Sequence, residues 1–216
     1  KQDPIPEASI SKSGKYDGFK NEITWNIEFN KENISLKSVN IIDDIPLGQE
    51  YIEGSATIDN GADISGFSYV SVANDSNKAG TLTYNFQGEI NKKHIISFKT
   101  KISDSRILME NQGKSINLYN SAILDINGAR KESNNASVEV KVNYIEKSGK
   151  YVSNENGNKV NRIDWTIKIN NNALKLNNLK IEDSIPAGLE LINGTFKVNN
   201  NVNNGYTYTG NKLTYT

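Results

Sequence analysis

Cysteine is absent from the 216 residues, which removes disulfides, thiolate metal sites and cysteine nucleophiles together. Histidine is nearly absent: the single copy, His94, lies in the run NKKHI (91–95) and reads as an exposed loop or strand-edge residue. One histidine without cysteine leaves little material for a Ser-His-Asp triad or a structural zinc site, so no enzyme with turnover and no metal or cofactor is expected. The chain also lacks net charge, with 25 Lys+Arg against 25 Asp+Glu, so no global field recruits nucleic acid or an anionic membrane. No apolar run is long enough to cross a bilayer, and the N-terminus has no signal-peptide pattern. A mature piece of a larger protein is expected. The acidic run DNGAD (59–63) lacks the alternating ligands of a calcium loop and reads as a solvated hairpin turn.

What is present is a repeat. ISKSGKY (10–16) returns as IEKSGKY (145–151), and ITWNIEFN (23–30) lies over IDWTIKIN (163–170). IIDDIPLG (41–48) aligns with IEDSIPAG (181–188), and IEG (52–54) with ING (192–194). The repeat divides the chain into a complete module, 1–143, and the N-terminal half of a second, 144–216. Apolar residues alternate at Ile23, Trp25, Ile27 and Phe29, again at Ile96, Phe98, Thr100 and Ile102, and again at Val138, Val140 and Val142. Period two is the signature of half-buried strands. Asn-Gly pairs at 60–61, 127–128, 156–157, 193–194 and 204–205 mark turns. The longest helix candidate, 103–110, spans only about two turns. An all-β fold follows, with one β-sandwich in each module.

Three polar residues share a face with apolar ones. Lys12 follows Ile10 by two positions, and Lys147 follows Ile145 likewise. Asp43 continues the inward row Val39, Ile41, as Asp183 continues Leu179, Ile181. Read as one strand, residues 116–126 place Asn120 in the row Ile116, Leu118, Ala122, Leu124, Ile126. Lys15 and Lys150 follow a glycine in an expected turn and are set aside. Burying a lysine, an aspartate or an asparagine alone is costly, so the three are expected to meet. Two readings remain. One is a buried Lys–Asp ion pair bridged by the amide. The other is chemistry: desolvation favours the neutral amine and acid, the amine attacks the Asn carboxamide, and ammonia leaves. In that reading the protonated acid hydrogen-bonds the Asn carbonyl and polarises it, and Trp25, with Trp165 in the second copy, keeps water out.

The lysine of the first strand, the IxWxIxxN strand (23–30), the DxIPxG turn (43–48) and FKTKI (98–102) followed by NSA (120–122) together resemble a known family. They are similar to the immunoglobulin-like modules of Gram-positive cell-wall-anchored adhesins of the collagen-binding-domain family. The resemblance implies tandem immunoglobulin-like sandwiches and an intramolecular isopeptide bond between Lys12 and Asn120, with Asp43 as catalyst. In the second module it implies the same roles for Lys147 and Asp183, with the partner asparagine expected beyond residue 216. It also implies a bacterial surface location. The partners implied are neighbouring modules of the same protein and a host extracellular-matrix protein such as collagen. Two functions follow as expectations: a stalk or spacer, or a ligand-binding region. For the second, the loop 62–80 offers Phe67 and Tyr69 either as an exposed contact surface or as strand core.

Overall fold

Alternating apolar residues resolve into antiparallel strands in the computed structural model, which describes residues 7–61 and 65–216. The chain forms two compact units, Lys1–Leu174 and Lys175–Thr216. In the first, β1 (Ile10–Asp17), β2 (Glu22–Phe29), β3 (Val39–Pro46), β4 (Gln49–Tyr51) and β5 (Thr57–Ile58) are followed by β6 (Phe67–Ser71), β7 (Lys78–Asn85) and β8 (His94–Ile102). After a short helix α1 (Ser105–Met109) come β9 (Ser115–Asn120), β10 (Ile123–Ile126), β11 (Ala129–Glu132) and β12 (Ala136–Lys141). One sheet has the order β1-β2-β8-β4, with β5 also on β8; the other runs β11-β10-β3-β7-β6. Their inward rows, led by Ile23, Trp25, Ile27, Phe29, Ile96 and Phe98 against Val39, Ile41, Leu82 and Leu124, form one buried core. This is the immunoglobulin-like sandwich expected from the sequence.

Asparagine and glycine make the corners. Asn127 and Gly128, both at positive φ, join β10 to β11 as a two-residue turn. That is the geometry an Asn-Gly pair favours between right-handed twisted strands.

The stretch 116–126 is not one strand. β9 pairs with β12, whereas β10 pairs with β3 in the opposite sheet, so the chain changes partners at Ser121–Ala122. Alternation continues through the step because both halves turn a face to the same core. Lys15 lies within β1 rather than in a turn, pointing to solvent on the face opposite Lys12. His94 is only 8 % exposed, not a surface residue. Its ring stacks on Phe29 at 5.7 Å between centroids, and Nδ1 lies 2.8 Å from Asp59 Oδ2. Phe67 and Tyr69 are half-buried strand residues whose rings pack on Tyr84 and Tyr51, at 4.4 and 4.8 Å. Residues 62–64, including Asp63 of the acidic run, lie outside the described residues.

The second copy begins inside the first unit, with β13 (Ile145–Glu155) and β14 (Asn158–Ile169). Gln112 fastens its start: Oε1 accepts from Tyr144 N at 3.0 Å, and Nε2 donates to Ile145 O at 2.8 Å. From Ile145↔Ile169 to Val152↔Arg162 the hairpin repeats the first pair for pair, and beyond Val152 the register shifts. Lys12 stands opposite Ile27 and Gly14 opposite Trp25; Lys147 stands opposite Ile167 and Gly149 opposite Trp165. The unit Lys175–Thr216 holds β15 (Ile181–Ser184), β16 (Lys197–Val198), β17 (Asn201–Val202), β18 (Tyr206–Thr209) and β19 (Lys212–Tyr215), with sheet order β15-β19-β18. Asp183 faces Leu213 there, as Asp43 faces Leu82 in the first copy.

The glycine of KSGKY has a steric cause. A Cβ at Gly14 would lie 2.4 Å from Val138 Cγ2 and 2.5 Å from the Trp25 ring. The indole therefore lies flat on the strand, which brings it beside Lys12. Gly14→Ala is expected to destabilise the sandwich by about 1–3 kcal/mol through overpacking, read as a lower urea midpoint. An unchanged midpoint would mean the ring does not need this position bare.

Candidate functional site

Lys12, Asp43 and Asn120 meet in the core, 4 %, 1 % and 5 % exposed respectively. Each arrives on the inward row of its own strand. Lys12 follows buried Ile10 on β1, and Asp43 lies between buried Ile41 and Ile45 on β3. Asn120 ends β9, the last residue before the chain steps to the opposite sheet. The sandwich thus brings a lysine from one sheet onto an aspartate from the other, and the strand that changes sheets delivers the amide.

Asp43 touches both neighbours with separate oxygens. Its Oδ2 accepts from Lys12 Nζ, and its Oδ1 accepts from Asn120 Nδ2 at 2.9 Å. The amide nitrogen, rather than the carbonyl oxygen, faces the carboxyl group. Lys12 Nζ also donates to Ser121 O at 3.3 Å. The Trp25 and Phe98 ring centroids are each 5.1 Å from Nζ, so the cation lies between two aromatic faces. Trp25 is fully buried, and its Nε1 donates to Thr100 Oγ1 at 3.0 Å. The sequence marks Phe98 as one of an inward row but not as a neighbour of Lys12, although it stands directly opposite Trp25 on β8. Cross-strand register would have found it.

Burial sets the protonation of the pair. Desolvation lowers the Lys12 amine to about 8, against the opposing pull of the Asp43 charge. The same desolvation raises Asp43, despite the Lys12 charge and the hydrogen bonds from Lys12 and Asn120. Both shifts favour a neutral amine beside a neutral acid.

In the second copy, Lys147 Nζ sits 4.6 Å from the Trp165 ring centroid. That ring is 44 % exposed, and β13 is exposed along nearly its whole length. Asp183 is half-buried on β15, in the other unit. Among the described residues no group of three or more His, Asp or Glu side chains is placed to hold a metal.

Asn120→Ala removes the amide but keeps Lys12 and Asp43, and its stability should depend on pH in a defined direction. An unfolded lysine holds its proton to about 10.5, whereas folded Lys12 holds it only to about 8. Between those values the unfolded chain binds the extra proton, so stability rises with pH, by at most about 1.4 kcal/mol per unit. Asp43 acts oppositely at the acid end: with its folded value raised above 3.8, stability falls as pH climbs through that range. The alkaline rise is read by urea unfolding of Asn120→Ala at pH 7.5 to 9.5, relative to Asn120→Ala/Lys12→Met. A flat difference would show that Lys12 is not desolvated.

The collagen binding domain family matches residues 7–135, which include Lys12, Asp43 and Asn120. No curated protein sequence matches the chain at a significant level. Among solved structures, the collagen binding subdomain of the Enterococcus faecalis surface protein ACE is similar at 16 % identity. The alignment covers 61 % of this chain and 96 % of that one, with a TM-score of 0.43. The collagen-binding domain of a Staphylococcus aureus adhesin is similar at 18 % identity, covering 62 % and 96 %, with a TM-score of 0.38. The Bacillus cereus major pilin subunit BcpA is similar at 13 % identity, covering 76 % and 56 %, with a TM-score of 0.43. By the family match over residues 7–135, more than half its length, the chain belongs to the collagen binding domain family.

Proposed function

We propose that this chain is a load-bearing module of a bacterial surface adhesin that closes its own Lys12–Asn120 isopeptide bond with Asp43 as proton carrier. The observation that carries the reading is that one buried carboxyl group contacts both the Lys12 amine and the Asn120 amide nitrogen. Asp43 takes a proton from the Lys12 ammonium, leaving an amine and an acid, the forms that burial favours. Nζ then attacks Asn120 Cγ. As the attacking nitrogen gives up a further proton, the Cγ–Nδ2 bond breaks and Nδ2 leaves as ammonia, protonated through Asp43. The acid faces Nδ2, which supports protonation of the leaving nitrogen over the carbonyl polarisation expected from the sequence. Nothing is oxidised and no cofactor is needed. The reaction happens once, so the protein is its own substrate.

The bond would tie β1 to the end of β9, enclosing on the order of 100 residues, and by analogy with a disulfide is worth roughly 4–5 kcal/mol. Force entering at β1 would cross to β9 through a covalent bond, and the enclosed strands would not bear it. The division into a module over 1–143 and the first half of another over 144–216 belongs to this reading. The matching hairpin registers support it. A cell-wall-anchored parent protein, with neighbouring modules as partners, belongs to the same reading. Intact mass tests the chemistry: the chain should weigh about 17 Da less than its sequence through loss of one ammonia. Lys12→Ala, Asp43→Ala and Asn120→Ala should each restore the full mass. A folded wild-type chain of unmodified mass would sink the proposal.

A second reading, engagement of a host matrix protein such as collagen, is favoured by the family match over 7–135. In the hairpin β6–β7 the large side chain most open to a ligand is Val70, 63 % exposed, since Phe67 and Tyr69 are turned inward. Purified chain should bind immobilised collagen saturably in surface plasmon resonance, and weaken when residues 65–80 are altered. Absence of binding to collagen, fibrinogen and fibronectin alike would leave the spacer role.

A further inference from the structure

The connection between β11 and β12 carries a device that none of the roles above uses. Asn134, in this connection, places its side-chain amide against the free edge of β1. Its Oδ1 accepts from Lys12 N at 2.8 Å, and its Nδ2 donates to Lys12 O at 2.9 Å. One carboxamide therefore satisfies both main-chain groups of Lys12 that point away from β2, as a neighbouring strand would. The adjoining residues hold the other reactant. Ser133 N donates to Ala122 O at 2.8 Å, and Ala122 N donates to Ser133 Oγ at 3.0 Å. Ser121 Oγ donates to Glu132 Oε1 at 2.7 Å, and Ala136 stands opposite Asn120 in the β9–β12 ladder. Residues 132–136 thus grip the main chain of Lys12 on one side and of Asn120–Ala122 on the other.

We infer that Asn134 is a positioning residue for the cross-link: it fixes the Lys12 main chain so that Nζ is presented to Asp43 and Asn120. The inference rests on the isopeptide reading above. β1 is the outermost strand of its sheet, so its outer main-chain groups receive no ladder bonds from that sheet. An edge strand left unpaired frays. A nucleophile on a long, flexible side chain reacts slowly unless the main chain beneath it is held, because attack needs a narrow range of approach. Asn134 touches neither Nζ nor Cγ and is itself exposed to solvent. Its substitution therefore opens no core cavity and leaves the Lys12–Asp43 contact chemically intact.

The test follows ammonia loss with time. Wild type and Asn134→Ala are made in a cell-free translation system, quenched in acid at intervals and weighed intact, with folding monitored by fluorescence of buried Trp25. Asn134→Ala is expected to fold, to lose ammonia about tenfold more slowly or worse, and to keep the wild-type pH dependence of rate, since the reacting groups are unchanged. Faster hydrogen exchange at the Lys12 amide should accompany the slowing. Asp104→Ala, which removes side-chain bonds at the start of α1, should react at the wild-type rate. A wild-type rate in folded Asn134→Ala, or equal slowing in Asp104→Ala, overturns the positioning role. Should Asn134→Ala not fold, Asn134→Asp replaces it: the carboxylate still accepts from Lys12 N but cannot donate to Lys12 O, and a wild-type rate there is equally fatal. Failure of the wild-type chain itself to lose ammonia overturns the cross-link reading instead, whatever the variants do.

Discussion

The structure turns on one unfavourable act, the burial of a lysine and an aspartate in the dry space between two sheets. Each charge loses its hydration, and mutual attraction repays this only with good geometry and with every remaining polar site satisfied. The sandwich meets both conditions. Asp43 gives one oxygen to Lys12 and one to Asn120, while Lys12 finds a main-chain carbonyl and two aromatic faces. No buried side-chain polar atom among the described residues lacks a hydrogen-bond partner. The cost that remains is visible as the shift of both groups toward neutrality. In a merely structural ion pair that shift is wasted stability. Beside a carboxamide, it is what the proposed cross-link would require of its nucleophile.

Much of this was legible in the sequence because strands have period two. A polar residue in an apolar row declares its face, and the internal repeat settled which row was apolar for Asp43. The Asn-Gly turns and the Trp-bearing strand were readable on the same grounds. What was not legible depended on partners rather than pattern. Alternation across 116–126 hid a change of sheet, because both sheets share one core and the inward row runs through the step unbroken. His94 read as exposed because its neighbours in sequence are polar, whereas its neighbours in space are Phe29, Phe86 and Asp59. Lys15 read as a turn residue because it follows a glycine, yet that glycine is there to let an indole lie flat. Asn134 gave no signal at all, as one asparagine among many in a polar connection.

The two copies of the KSGKY hairpin show how little of the site is local. Register, glycine and tryptophan are reproduced, and in both the lysine lies near the indole face. The first hairpin is covered by a second sheet and its tryptophan is fully buried, whereas Trp165 is largely open. Desolvation belongs to the assembled sandwich rather than to the motif.

The pocket also draws its parts from both ends of the module, with Lys12 near the start and the 132–136 connection near the finish. A chain made N-terminus first presents its lysine long before the asparagine and the residues 132–136 arrive. Until the last strand is free the chain is an open, unbranched thread, and the cross-link proposed above would make it a ring only afterwards. The order of the strands would in this sense be a safety catch on the proposed cross-link.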